Sequence, residues 1–335
     1  MMNCLLQSWP EPVVRVQSLS DSGISVVPER YIKRPSDRPP SSFNSPASEV
    51  EIPVIDLKNL FSNNISLLET TMSLICSACR EWGFFQVVNH GVSHDLMKRT
   101  REVWHDFFFL PLEAKQMYAN SPTTYEGYGS RLGVEKGAKL DWSDYYFLHC
   151  LPMSLRDENK WPTLPLECRG LTAEYGDELV KLCGKLMKVL SVNLGLGEEY
   201  LQKAFGGEDV GACLRANFYP KCPQPDLTLG LSSHSDPGGM TLLLPDDHVS
   251  GLQVLSNATY KSVEHRVIVN PVKERVSLAF FYNPKGDVVI EPAKELVTED
   301  HPALYPPMTY NEYRLFIRIK GPCGKLQVES SAINI

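Results

Sequence analysis

The 335-residue chain has no apolar run approaching the roughly 18 residues that a membrane-crossing helix needs. Its first residues, Met1-Met2-Asn3-Cys4-Leu5-Leu6-Gln7, have neither a basic start nor a long apolar stretch, which argues against a secretory leader. Positive charge is not in excess. Lys and Arg number 33 against 40 Asp and Glu, a net charge of −7, so a general nucleic-acid binder is not expected. A disulfide framework is missing too: the 9 cysteines are odd in number and scattered, and are read as reduced thiols in a cytoplasmic compartment. Cys76-Ser77-Ala78-Cys79 has redox spacing but lies in a helical pattern, and reads as two buried thiols one turn apart. What is present is globular in character. With 43% hydrophobic and 22% charged residues, wholesale disorder is excluded, and the length suits one large domain or two packed ones.

Residues 1–50 are rich in Pro and Ser and read as an N-terminal extension and linker, with Pro35-Ser36-Asp37-Arg38-Pro39-Pro40-Ser41-Ser42 extended. Trp9-Pro10 and Val13-Val14-Arg15-Val16 are expected to pack on the main body. A mixed unit follows over 51–165. Helical spacing runs from Leu67 to Trp82 with Gly83 as its stop, Phe84–Val92 reads as a strand and turn, and 94–110 as a helix. Tyr125–Gly129 reads as a turn and Leu140–Leu148 as an aromatic strand. The longest helix, expected over 172–195, dominates a supporting region at 166–205. From about residue 206 to 322 the pattern becomes short β runs split by Gly, Pro, Asn and Asp, and 323–335 forms a tail. The expected class is α+β, with a β-rich sandwich or jelly-roll core and flanking helices.

The chemistry-bearing residues lie in the β-rich part. On a strand, i and i+2 share a face, so His234 and Asp236 of His234-Ser235-Asp236 can take two neighbouring corners of a metal polyhedron. A second imidazole would complete the 2-His-1-carboxylate face of non-haem Fe(II) oxygenases, and His265 stands at the mouth of a later strand. Ten residues on, Arg275 and Ser277 share a face and suit a carboxylate clamp. Asn217 and Tyr219 offer an amide and a phenol to the same pocket.

These elements, in this order, resemble the plant 2-oxoglutarate/Fe(II)-dependent dioxygenases. Ala78–Val92 resembles the signature of their N-terminal domain, and Asn217-Phe218-Tyr219-Pro220, His234-Ser235-Asp236, His265 and Arg275-Val276-Ser277 match their catalytic core. The resemblance implies a double-stranded β-helix. It also implies Fe(II) on His234, Asp236 and His265, with 2-oxoglutarate bound by Arg275 and Ser277 and assisted by Asn217 and Tyr219. O₂ is then the oxidant and ascorbate the reductant. His90, His94, His105, His149, His248 and His301 carry no such context and read as structural or surface residues.

Trp9–Leu19, Thr124–Arg131 and Leu140–His149 further resemble the jasmonate-induced oxygenases, which hydroxylate jasmonic acid and so lower the hormone pool and damp defence. That implies a carboxylate site at Arg215, Arg314 and Arg318, the last two sharing a helix face, with Phe147 and Phe316 as apolar wall. The alternatives are a flavonoid dioxygenase of the anthocyanidin synthase type, or a catalytically impaired splice or gene-model variant. The second arises because His265 follows Asp236 by only 29 positions. Against the family pattern roughly twenty-five residues, about two strands, are missing between Val254 and Leu255. Such a loss is expected to strip core side chains and leave neighbouring strands unpaired.

Overall fold

The computed structural model describes residues 8–39, 52–254, 263–299, 302–303, 305–322 and 324. The Pro40-Ser41-Ser42 part of the expected linker, Leu255–Tyr260 after the junction, His301 and most of the 323–335 tail lie outside the described residues, as does the side chain of Phe316.

The helices are α1 (Val16–Asp21), α2 (Ile65–Glu81), α3 (His94–Phe108), α4 (Leu112–Gln116), α5 (Cys168–Asn193), α6 (Tyr200–Ala204) and α7 (Tyr310–Lys320). Caps explain where they begin. Asn64 accepts from the Leu67 N–H at the start of α2, and Ser93 from the Leu96 N–H at the start of α3. The long helix α5 starts earlier than expected, at Cys168, and buries Leu179, Leu182, Cys183 and Leu186 along one stripe. It ends before Gly195, whose φ of 76° suits only a residue without a side chain. At α7, Thr309 and Glu312 form a reciprocal capping box, which fixes where the helix starts and so which way Arg314 and Arg318 face.

The strands are β1 (Val54–Asp56), β2 (Gln86–Val88), β3 (Gly127–Gly129), β4 (Asp144–Leu151), β5 (Gly211–Tyr219), β6 (Leu231–His234), β7 (Met240–Leu244), β8 (Leu252–Val254), β9 (His265–Val267), β10 (Arg275–Asn283), β11 (Val289–Ile290) and β12 (Met308–Thr309). A five-stranded antiparallel sheet has the order β3-β4-β5-β10-β7, and a three-stranded sheet the order β6-β9-β8. Gly127–Gly129, expected as a turn, is the edge strand β3 of the larger sheet. β3 and β4 therefore join strands of the 206–322 region in one sheet.

Alternation along the central strands separates two faces. Tyr146, Leu148, Leu214, Ala216, Leu278 and Phe280 are buried in one core cluster with Leu179, Leu182 and Leu186 of α5 and Trp104, Phe107 and Phe108 of α3. The opposite face carries Tyr145, Phe147, Arg215, Asn217, Ser277 and Phe281, so one face is spent on stability and the other is left for chemistry. A second cluster joins Tyr219 of the larger sheet to Leu231 and Val267 of the smaller one.

The N-terminal segment packs on this body as expected, with Val16, Val27 and Tyr31 buried in the second cluster. It is less extended than expected, since Val16–Asp21 is helical and Pro35–Asp37 forms a 3₁₀ turn. The anchor for α1 is Asp144, fully buried, whose carboxylate accepts from the N–H groups of Val16 (2.9 Å) and Gln17 (2.8 Å). All seven described cysteines are free thiols; Cys76 and Cys79 are half-buried, and burial pushes the Cys79 thiol up to about 11. Among the described residues no helix is long and apolar enough to cross a membrane.

β7 and β8 are the outer edges of their sheets: among the described residues β7 pairs only with β10, and β8 only with β9. Leu243 on β7 and Leu252 on β8 are exposed. β9 is the central strand of the smaller sheet, paired with β6 on one side and β8 on the other.

Candidate metal centre and acid-binding cavity

His234 closes β6 and pairs in register with His265, the first residue of β9. Asp236 was expected on the same strand as His234. The strand instead ends at His234, and Asp236 lies just beyond it, before Pro237-Gly238-Gly239. The turn still brings the carboxylate inward: Asp236 Oδ1 is 3.6 Å from His234 Nε2 and 3.8 Å from His265 Nε2. Ligand atoms of the three residues all lie within 4.8 Å of one another.

The atoms around the triad orient it. His234 Nδ1 donates to Ser232 O (2.8 Å) and His265 Nδ1 to Val263 O (3.0 Å). A carbonyl can only accept, so in both rings Nδ1 carries the proton and the Nε2 lone pair faces the centre. Thr241, on β7, donates to Asp236 Oδ2 (2.7 Å) and leaves Oδ1 for the centre. Burial alone would raise the Asp236 carboxyl, but without metal, when the rings take a second proton on Nε2, the hydrogen bond from His234 and the His265 and His234 charges, with the bond from Thr241, lower it to about 2. Burial and the neighbouring His234 push His265 below its ordinary value, toward the neutral form that binds metal. Two imidazoles and a carboxylate on one side of a half-buried centre fit Fe(II) with open positions.

Register brings the other expected residues together. On adjacent β5 and β10, Asn217 pairs with Ser277 and Tyr219 with Arg275. Arg275 Nη1 donates to Ser277 Oγ (3.1 Å), and its guanidinium lies 5.2 Å from the Tyr219 ring centroid. Arg215 pairs with Phe147 on β4 and stacks 4.3 Å from the Tyr145 ring.

A cavity of about 150 Å³ is lined by Phe147, Arg215, Arg314 and Arg318 and also by His234 and Asp236. The three arginines thus share one chamber with His234 and Asp236. Arg215 Nε and Arg318 Nε are buried without a hydrogen-bond partner, which suits a chamber built for an anion. Burial, and then the adjacent Arg314 charge, push Arg318 below its ordinary value.

Several lining residues escaped the sequence reading. Phe281 and Asn283 continue the alternation of Arg275, Ser277 and Ala279 along β10, and that period could have found them. Cys213 and Tyr310 also line the wall. Tyr125 does too; it sits at φ 59° and donates to Arg318 O (2.7 Å) while packing edge-on against Trp9 (5.6 Å). Of the histidines read as structural, His149 is buried on β4, with Nδ1 3.4 Å from Cys213 Sγ. Burial, Arg314 and Arg318 bring it down to about 4.

Comparison with known proteins agrees with this geometry. The non-haem dioxygenase in morphine synthesis N-terminal family matches residues 52–164. The 2OG-Fe(II) oxygenase superfamily matches in two pieces, 210–259 and 250–284. The chain is 60% identical to jasmonate-induced oxygenase 1 of Arabidopsis thaliana over 353 aligned positions, spanning 97% of this chain and 87% of that protein. It is 38% identical to leucoanthocyanidin dioxygenase of Malus domestica, over 89% of this chain and 93% of that one. A crystal structure of JOX2 in complex with 2OG, Fe and JA superposes with a TM-score of 0.89 at 57% identity, covering 97% of this chain and 99% of that chain.

Proposed function

The chain belongs to the 2OG-Fe(II) oxygenase superfamily, and from that premise we propose that it hydroxylates jasmonic acid, using Fe(II), 2-oxoglutarate and O₂ with ascorbate as reductant. In this reading His234, Asp236 and His265 hold the metal. Arg275 and Ser277 grip the distal carboxylate of 2-oxoglutarate, with Asn217 and Tyr219 beside them. Arg215, Arg314 and Arg318 take the jasmonate carboxylate. Bound Fe(II) supplies O₂ activation coupled to decarboxylation of 2-oxoglutarate to succinate and CO₂. The protein's share is position and dryness: the arginines fix one end of the substrate, so its pentenyl end is turned toward the triad.

The observation that supports this best is the single chamber lined by three arginines and two metal-ligand residues. A neutral polyphenol would leave those guanidinium groups desolvated and unpaired, which disfavours the flavonoid reading. The test is direct. Purified protein with Fe(II), 2-oxoglutarate and ascorbate should release succinate and add one oxygen to jasmonic acid, with a dihydroflavonol as the competing substrate. Succinate release with preferential loss of the dihydroflavonol would overturn the substrate assignment. The reduced thiols support a cytoplasmic setting.

The shortened wall belongs to the same reading. An alignment of 353 positions exceeds the chain's own 335 residues, and the superfamily match comes in two pieces. The outer edge of β8, the strand that ends at the junction, and that of β7 before it, both unpaired among the described residues, support it further. Missing edge strands expose backbone and apolar surface. They do not interrupt β6, β9, β5 or β10, which carry the site except for Asp236 just beyond β6. The expected result is lower stability with the donor set intact, rather than a dead site.

A further inference from the structure

The loop after β7 makes a pattern of bonds that the metal centre and the acid chamber do not use. Asp246 Oδ1 accepts from the N–H groups of His248 (2.9 Å) and Val249 (3.0 Å). Its Oδ2 accepts from the N–H of Val276 (2.9 Å), the residue between Arg275 and Ser277. One carboxylate therefore ties the loop to β10 where the co-substrate pair sits. Burial alone would raise the Asp246 carboxyl, but these three donors and Arg275 hold it below its ordinary value.

What the loop carries is the carbonyl of Val249, a buried residue, which accepts from Arg275 Nε (3.1 Å). Arg275 is itself buried, and its Nη1 lies on Ser277 Oγ. With Nε held by a fixed backbone oxygen, the planar fork has one rotation, and Nη1 stays against Ser277. On the other side Gly251 leaves no slack: a Cβ there would stand 3.2 Å from Arg275 Cδ, 3.3 Å from Nε and 3.1 Å from Ile268 O.

We infer that Asp246 is a positioning residue for 2-oxoglutarate, acting through the Val249 carbonyl to pre-set the Arg275 guanidinium. It touches neither metal nor co-substrate. Its effect is that Arg275 loses little rotational freedom when a carboxylate arrives. The inference rests on the assignment of Arg275 to 2-oxoglutarate. Asp247, its neighbour, pairs with Arg101 on α3 instead and has no bond to this network.

The test is anaerobic calorimetric titration of 2-oxoglutarate into Mn(II)-loaded full-length protein. Asp246→Asn puts an N–H donor or a lost acceptor against the loop, and should weaken 2-oxoglutarate affinity roughly tenfold. Mn(II) and jasmonate affinities should stay within about twofold, and Asp247→Asn should match the wild type. In an Arg275→Lys background, which has no Nε, Asp246→Asn should add less than about twofold. A full tenfold effect in that background, or none in the wild-type background, overturns the inference. Gly251→Ala crowds the same fork without touching the Asp246 bonds, and stands in if Asp246→Asn does not fold. Unchanged 2-oxoglutarate affinity there also overturns it. If Arg275→Lys itself leaves affinity unchanged, the co-substrate assignment falls; if only Asp246→Asn does, the positioning role alone falls.

Discussion

His234 and His265 pair across neighbouring antiparallel strands with ring centroids 4.3 Å apart, one before and one after the Val254–Leu255 junction. β9 is paired on its other side too, where Val254 opposes His265. The second imidazole is thus held by strand pairing from both flanks. His265→Ala should abolish metal retention while the fold persists. Thr241→Val, which frees Asp236 Oδ2, should weaken metal binding roughly tenfold. Metal titration beside a thermal melt reads both, and stoichiometric metal on His265→Ala would refute the triad.

The arginines proposed to bind the substrate pull against stability. Arg318 is largely buried beside Arg314 and its Nε has no partner. Arg318→Met should raise KM for jasmonic acid by ten- to a hundredfold, on the order of the 1.5–3 kcal/mol a charged hydrogen bond contributes. The same substitution should leave the ligand-free protein as stable or more stable, by about 1 kcal/mol, because a desolvated guanidinium with an unsatisfied Nε beside Arg314 is gone. Steady-state kinetics and denaturant melts check the two halves separately. A fall in stability with no change in KM would be the opposite result.

Asp144 reaches the N-terminal segment from the core. Asp144→Ala leaves the N–H groups of Val16 and Gln17 buried without an acceptor, and should cost about 2–4 kcal/mol. Limited proteolysis should then cut within residues 8–39 faster than in the wild type. Equal cleavage rates would show that α1 is held by other contacts.

Glu126 gives a pH dependence with a defined sign. Burial raises its carboxyl from 4.5 to about 7, against a hydrogen bond from the His149 N–H that lowers it. Between those values the folded protein holds a proton that the unfolded chain has released, so this group's stabilisation is present below pH 4.5 and lost as pH rises toward 7. Glu126→Gln should match the wild type near pH 4 and exceed its Tm by a few degrees at about pH 8. Parallel Tm profiles for the two proteins would contradict the shift.

Restoring the wall is a further check. Inserting the length that the relatives carry after Val254 should cover the outer edges of β7 and β8 and raise Tm by several degrees, with metal affinity changed little. An unchanged Tm would count against a missing pair of edge strands.

Much of the site was readable because it is periodic. Arg275 and Ser277, like Asn217 and Tyr219, sit two apart on strands, and Arg314 and Arg318 sit four apart on a helix, so local geometry placed them on shared faces. Asp236 broke that logic, because Pro237-Gly238-Gly239 ends the strand and a turn does the aiming. Thr241, Tyr125 and the Val16–Asp21 helix had no local signal. Each depends on a partner elsewhere in the chain: Asp236 for Thr241, Arg318 for Tyr125, and Asp144 for α1. The proposed shortening leaves the pairing of the ligand strands in place. The edges left open lie on β7 and β8, whereas His234 pairs with His265 on β9, the central strand of the smaller sheet.

The bond from Tyr125 to the Arg318 carbonyl spans 193 positions, and Trp9 lies against the same ring. During synthesis the segments bearing Trp9 and Tyr125 leave the ribosome long before α7 does. The strands with the three metal donors also precede it. An unfinished chain halted before residue 310 would thus hold His234, Asp236, His265 and Arg215 but neither Arg314 nor Arg318. Vocation for a particular substrate is the last property this protein acquires as it is made.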